Sequence, residues 1–239
     1  MRTIRVYVDD ALVADQTLTL DPRAAHHVVR VLRRRAGDRL VLFDGRGREA
    51  EAIIERAHRQ HGCCVRVESV EKVDRESPLI VELVASMAKG EKLDLVVQKA
   101  TELGVSAIRP VLTERSEVRP AGDSRRLARW REIAVNACEQ CGRAVLPTIH
   151  APVALDELDC SAGQRIVLVP DATRGVDDLD VSTRAVAVAV GPEGGLDSSD
   201  LDTLAAKGFE PIRFGPRVLR TETAAIAIVA ALQGRFGDL

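Results

Sequence analysis

Two short segments combine glycine, proline and charge in a way that could hold a small ligand. The first is Gly191-Pro192-Glu193-Gly194-Gly195, entered from the apolar run 184–190 and followed by Leu196-Asp197-Ser198. Its glycines let the backbone turn sharply and approach a ligand without Cβ clashes. In open α/β sheets, ligands bind at the carboxyl ends of strands, where this loop would stand. A phosphate loop would need a lysine followed by Ser or Thr. Here a glutamate takes the centre, which suits a cationic or neutral ligand better. An ordinary glycine turn is the plain alternative. The second segment runs from Phe214-Gly215-Pro216 through Arg217-Val218-Leu219-Arg220 to Thr221-Glu222-Thr223-Ala224. A short strand again ends in Gly-Pro, a basic turn follows, and a helix starts near Thr221 or Thr223. Two such loops on parallel strands can clamp one small molecule, with Arg217 and Arg220 at its mouth. Solvated surface arginines are the competing reading.

Metal chemistry is disfavoured. His58, His61, Cys63 and Cys64 cluster, but the adjacent cysteines point to opposite faces of a strand. Cys138 and Cys141 lie in a helical pattern with no second CxxC to complete a tetrahedral site. Five cysteines without a signal peptide argue for reduced thiols.

The elements that must position these loops follow from periodicity. The 239 residues are 46% hydrophobic and 29% charged but only 3% aromatic, so a soluble core built on Val, Leu, Ile and Ala is expected. No apolar run approaches the ~20 residues that span a bilayer, and the cytoplasm is the default location. Residues 1–75 read as mostly β, with strand-like runs at 4–8, 38–45, 49–55 and 63–70 and one helix over 24–35. A charged, proline-closed stretch at 72–78 marks a domain boundary, and the pattern then changes to strand–helix alternation over 76–239. Strands are expected at 79–86, 106–112, 165–170, 184–190 and 210–215. Helices are expected at 91–104, 124–141, 199–208 and 221–236, the last apolar nearly all round. Net charge is −2, yet Arg30, Arg33, Arg34 and Arg35 cluster, as do Arg125, Arg126, Arg129 and Arg131. Local patches of this kind can hold a polyanion; two solvated helix faces would look the same.

Gly-Pro-Glu-Gly-Gly followed by Leu219-Arg220-Thr221-Glu222-Thr223-Ala224 resembles the SPOUT class of methyltransferases. Within that class the chain resembles the 16S ribosomal RNA uridine-N3 methyltransferase family (RsmE). The supporting segments are 26–33, 89–105, 139–143, 191–196 and 214–225, in the expected order along nearly the whole chain. Two departures stand out: Ala144 where a polar residue is usual, and Phe214 in place of leucine.

The resemblance implies a fold and a set of roles. The fold is α/β: a trefoil-knotted parallel sheet with helices at 76–239, preceded by a small PUA-like RNA-binding β-barrel at 1–75. The cofactor is S-adenosylmethionine. Its contacts fall on Leu168 and Pro170, on Gly191, Pro192, Glu193, Gly194 and Gly195, and on Phe214, Gly215, Val218, Leu219, Arg220, Thr223 and Ala224. Arg220, Glu193 and Glu222 are the candidate catalytic groups, with no firm choice of base. RNA contacts fall on Arg30, Arg33, Arg34, Lys89, Lys92, Lys99, Gln140 and Arg143. The implied target is N3 of a uridine in 16S ribosomal RNA, uridine 1498 in the family's terms, and the implied assembly is a homodimer on the small ribosomal subunit. Another RNA site, or an RNA-binding module without catalysis, are the alternatives.

Overall fold

The computed structural model of the chain describes residues 4–58, 62–87, 91–116 and 124–239. It divides into two units. The first runs to Glu76 and adds Cys138–Leu146; the second comprises Ser77–Ala137 and Pro147–Leu239.

The first unit is built on β1 (Arg5–Tyr7), β2 (Thr17–Thr19), α1 (Pro22–His26), β3 (Arg39–Phe43), β4 (Arg48–His58) and β5 (Gly62–Lys72). They form one sheet in the order β1-β3-β4-β5-β2, with β1 parallel to β3 and the other pairs antiparallel. Alternation sets its core. Ala50, Ala52 and Ile54 on β4 and Cys63, Val65 and Val67 on β5 turn one face inward, against Ala24, Ala25 and Val28. Asp21 starts α1 by accepting the N–H groups of Arg23 and Ala24, with Pro22 at the first helical position. The helix expected through Arg35 is shorter. A π-helical turn over His27–Val31 ends it, the Arg34 N–H closes on the Val28 carbonyl at 3.0 Å, and Arg33 takes a left-handed φ of +54°.

The segment 138–146 is fastened into this unit. Ala144 accepts from the Gly47 N–H at 3.1 Å and Leu146 donates to Gly45 at 3.0 Å. The Tyr7 N–H donates to Glu139 at 3.1 Å. Glu49, 4% exposed, is paired with Arg5 and Arg75.

The second unit contains β6 (Ile80–Ser86), α2 (Lys92–Glu102), β7 (Ala107–Leu112), α3 (Ser124–Cys141, whose last turn belongs to the first unit), β8 (Thr148–Ile149), β9 (Val153–Ala154), β10 (Gln164–Leu168), β11 (Ala185–Val190), α4 (Ser198–Ala206), β12 (Glu210–Ile212) and α5 (Thr221–Phe236). The sheet is parallel, in the order β12-β10-β11-β6-β7-β8, with β9 also pairing β7. Both faces are covered, which is why its strands read as continuous apolar runs. Val186, Val188 and Val190 of β11 face α2 and α5, through Val97, Ala100, Ile228 and Val229. Ala187 and Ala189 face the other way, toward Leu204 and Phe209. Short strands β2, β8 and β9 carry too few residues to show a period, and the sequence pattern does not announce them.

Candidate active site

A cavity of about 560 Å³ opens at the carboxyl ends of β10, β11 and β12, three adjacent parallel strands. That volume lies within the ~300–1,000 Å³ of ligand pockets. Leu168 ends β10, and Val169 and Pro170 follow it. Val190 ends β11, and Gly191 to Glu193, Gly195 and Leu196 follow it. Phe214, Gly215 and Arg217 to Arg220 follow β12, and Thr221 and Ala224 open α5. Lys92, the first residue of α2, and Leu201 of α4 complete the wall.

Two features of the glycine loop need glycine. At Gly191 an added Cβ would lie 2.9 Å from the Leu196 side chain and 3.3 Å from its backbone nitrogen. Gly195 has φ +73°, and its N–H closes a turn on the Pro192 carbonyl at 2.9 Å. Beyond the loop, the Asp197 carboxylate accepts from the Asp200 N–H at 2.9 Å and Asp200 returns the bond at 3.2 Å, a capping box that starts α4. Hydrogen bonds from the Asp200 and Ser199 groups hold the Asp197 carboxyl below its ordinary range.

Charge gathers at one side of the cavity. Lys92 Nζ donates to Glu193 Oε1 at 2.6 Å. That bond holds the lysine above its ordinary pKa; Glu222 adds to the effect and Arg220 opposes it, so the four groups lie within electrostatic reach. Arg220 is exposed and precedes α5 in extended backbone. Oε2 of Glu222 is buried without a hydrogen-bond partner. Val218, beside Arg217, is 81% exposed.

Of the fourteen residues expected to contact a cofactor, the structure brings twelve to the cavity wall. Gly194 and Thr223 are not on it. Gly194 faces Arg115, whose Nη1 donates to the Gly194 carbonyl at 2.7 Å, and Thr223 is exposed. Lys92, read from the sequence as an RNA contact, lines the cavity wall and is paired with Glu193. Its place was not legible because 101 residues separate the partners.

The other expected RNA contacts are dispersed. Arg30 and Arg33 are exposed in the first unit, Arg34 is half-buried, and Gln140 is exposed. Arg143 is buried: its side chain is 8% exposed and its Nε donates to Glu76 at 3.1 Å. A buried arginine neutralised by a carboxylate holds the 138–146 segment in place and offers no open charge. Lys99, on α2, donates to Glu102 at 2.9 Å. Lys89 lies outside the described residues, as does His61. Among the described residues no group of three or more His, Cys, Asp or Glu could hold a metal ion.

Burial pushes the Cys63 and Cys160 thiols up to about 11. Neither is placed to act as a nucleophile at neutral pH.

Comparison with known proteins agrees with this geometry. The profile of the RNA methyltransferase domain family matches residues 75–233, and that of the RNA methyltransferase PUA domain matches residues 20–65. The chain is 31% identical to ribosomal RNA small subunit methyltransferase E of Buchnera aphidicola from Acyrthosiphon pisum, over 98% of this chain and 94% of that protein. A Legionella pneumophila structure in complex with the cofactor S-adenosylmethionine superposes with a TM-score of 0.96 at 40% identity, covering all of both chains. The Neisseria gonorrhoeae ribosomal RNA small subunit methyltransferase E, bound to S-adenosylmethionine, superposes with a TM-score of 0.91 at 34% identity, again over both full chains. With a cavity at the carboxyl end of a parallel sheet, a PUA-like first domain and similarity along the entire length, the chain belongs to the RNA methyltransferase family, among the ribosomal RNA small subunit methyltransferase E proteins.

Proposed function

We propose that this protein methylates N3 of a uridine in 16S ribosomal RNA, using S-adenosylmethionine bound in the cavity at β10, β11 and β12. The observation that carries the reading is the lining of that cavity. Two glycine-bearing loops and apolar Leu168, Val190, Phe214 and Leu219 form its wall, with a carboxylate, Glu193, beside them. The lining fits the cofactor: apolar wall for a nucleoside, closely approaching backbone, and an acidic group for a cationic ligand. When bound, the cofactor supplies a methyl group already activated on a sulfonium.

The chain's own residues must then prepare the uracil. N3 has to lose its proton, and the resulting negative charge spreads onto the carbonyl oxygens. Arg220, exposed on the cavity wall, stabilises that charge, and Lys92 adds a second cation nearby. The proton goes to a carboxylate. Glu193 and Glu222 are the two candidates: Glu193 lies on the cavity wall and accepts from Lys92, while Glu222 is off the wall with its Oε2 buried and unpartnered. Thr221 and Ala224 line the wall on either side of Glu222 and Thr223.

In this reading residues 1–75 form the RNA-binding domain, with Arg30, Arg33 and Arg34 on phosphates, and 76–239 the catalytic domain. The trefoil-knotted path of the latter is what the family resemblance implies, and the strand order β12-β10-β11-β6 is compatible with it. The enzyme works in the cytoplasm as a homodimer. Ile226, Ala227, Ala230 and Ala231 on α5 stay half-exposed and apolar, which supports pairing there. Among the described residues no helix is long and apolar enough to cross a membrane.

The deciding experiment offers labelled S-adenosylmethionine and the protein to naked 16S RNA and to assembled small subunits, then identifies the modified nucleoside by mass spectrometry. N3-methyluridine is expected. A ribose 2′-O-methyl product, or no transfer to either RNA, overturns the reading.

A further inference from the structure

The connector leaving β7 grips the glycine loop from outside the cavity. Arg115 Nη1 donates to the Gly194 carbonyl at 2.7 Å. The Arg115 Cβ and Cδ also lie 3.4 Å from where a side chain on Gly194 would begin, so the arginine stem packs on the bare Cα. Neither residue lines the cavity.

The arginine stands on a fixed support. Thr113 and Ser116 close the connector into a turn: the Ser116 N–H donates to the Thr113 carbonyl at 2.9 Å, and the Thr113 N–H donates to Ser116 Oγ at 3.0 Å. The Glu114 N–H donates to Asp200 Oδ1 at 3.2 Å, and Asp200 is 3% exposed within the capping box of α4. The connector is thereby tied to α4 while Arg115 reaches the loop that leads into the same helix. Consecutive loop residues are thus held by cations from different elements: Glu193 by Lys92 of α2, Gly194 by Arg115. A loop with three glycines in five residues has much conformational freedom to lose when a ligand binds, and pins set beforehand reduce that loss.

We propose that Arg115 is a positioning residue for the cofactor loop, fixing its shape from outside and touching neither cofactor nor RNA. The inference rests on the cavity being the S-adenosylmethionine site.

The test compares the wild-type protein with Arg115→Ala and Arg115→Lys. Calorimetry reads cofactor affinity, single-turnover methyl transfer at saturating cofactor reads the chemical step, and RNA affinity and melting temperature are controls. Arg115→Ala is expected to weaken S-adenosylmethionine binding about tenfold, the scale of a charge-assisted hydrogen bond. The rate at saturating cofactor and the RNA affinity should stay within about twofold, the ratio expected when only ground-state positioning is removed. Arg115→Lys should recover part of the affinity. Unchanged cofactor affinity in Arg115→Ala overturns the proposal. So does a fall in melting temperature with equal losses of cofactor and RNA binding, which marks a general structural role. Wild-type protein that does not bind S-adenosylmethionine overturns the reading of the cavity itself, and shows before any variant is compared.

Discussion

The ammonium of Lys92 lies 2.6 Å from Oε1 of Glu193, joining the first residue of α2 to the glycine loop after β11. Glu193→Gln removes the carboxylate that holds the lysine above its ordinary pKa of 10.5. The lysine is therefore expected to titrate at lower pH in the variant. For a raised lysine, the contribution of its own charge is present below pH 10.5 and is lost as pH rises through the raised value. Neutral assays thus meet a charged Lys92 in both proteins. NMR titration of isotopically methylated lysines reads the shift; identical curves would mean the pair does not form in solution.

Arg220 is expected to serve the chemical step. Arg220→Ala should slow single-turnover methyl transfer by roughly a hundredfold or more, the scale of removing one preorganised charge stabiliser, with little change in RNA affinity. If the arginine only ties the loop to α5, melting temperature and cofactor affinity would fall together instead. A near-normal rate in a stable variant would move attention to Arg217, the other arginine on the wall.

Arg33 allows a clean test of RNA binding. Its side chain is exposed and its φ is +54°, a conformation that glycine adopts without strain. Arg33→Gly should remove the charge while keeping the turn. The slope of log affinity for RNA against log salt should fall by about one unit for each phosphate no longer neutralised, with cofactor affinity unchanged. An unaltered salt slope would show that Arg33 touches no phosphate.

Glu82 carries a buried pair within the parallel sheet. It is 3% exposed and accepts from Arg109 Nε at 2.6 Å and Ser161 Oγ at 2.5 Å. Burial pushes its carboxyl up, but those bonds and the arginine charge outweigh burial and leave it below the ordinary 4.5. Stability from this pair is therefore present above pH 4.5 and lost as pH falls through the lowered value. Glu82→Ala is expected to cost about 3–5 kcal/mol in chemical denaturation, the scale of breaking a buried ion pair. A cost below about 1 kcal/mol would show that Arg109 finds water or another partner.

Much of the catalytic unit was legible in the sequence. Strands β6, β7, β10 and β11 read as apolar runs because both sheet faces are covered, and α3 and α5 occupy the spans their periodicity marks. The two glycine loops carry their own chemistry, and the structure sets both on one cavity. What stayed hidden depends on distant partners. Arg143 shows the same residue type whether it faces RNA or Glu76. Arg115 looks like any exposed arginine until Gly194, 79 residues on, is folded against it. The π-helical turn at His27–Val31 is a backbone choice that helical spacing does not reveal.

The first unit takes its last strap, Cys138–Leu146, from a stretch of chain made only after β6, α2, β7 and most of α3. On a translating ribosome, this has a consequence for timing. When Glu76 emerges, Tyr7 still lacks the Glu139 acceptor, and Gly45 and Gly47 lack Leu146 and Ala144. The nascent N-terminal unit must wait for a later stretch of polypeptide before these bonds can close. A growing chain is therefore expected to reach its protease-resistant form only once Leu146 has cleared the exit tunnel, and a fragment cut at Glu76 should be degraded faster than one ending after Leu146.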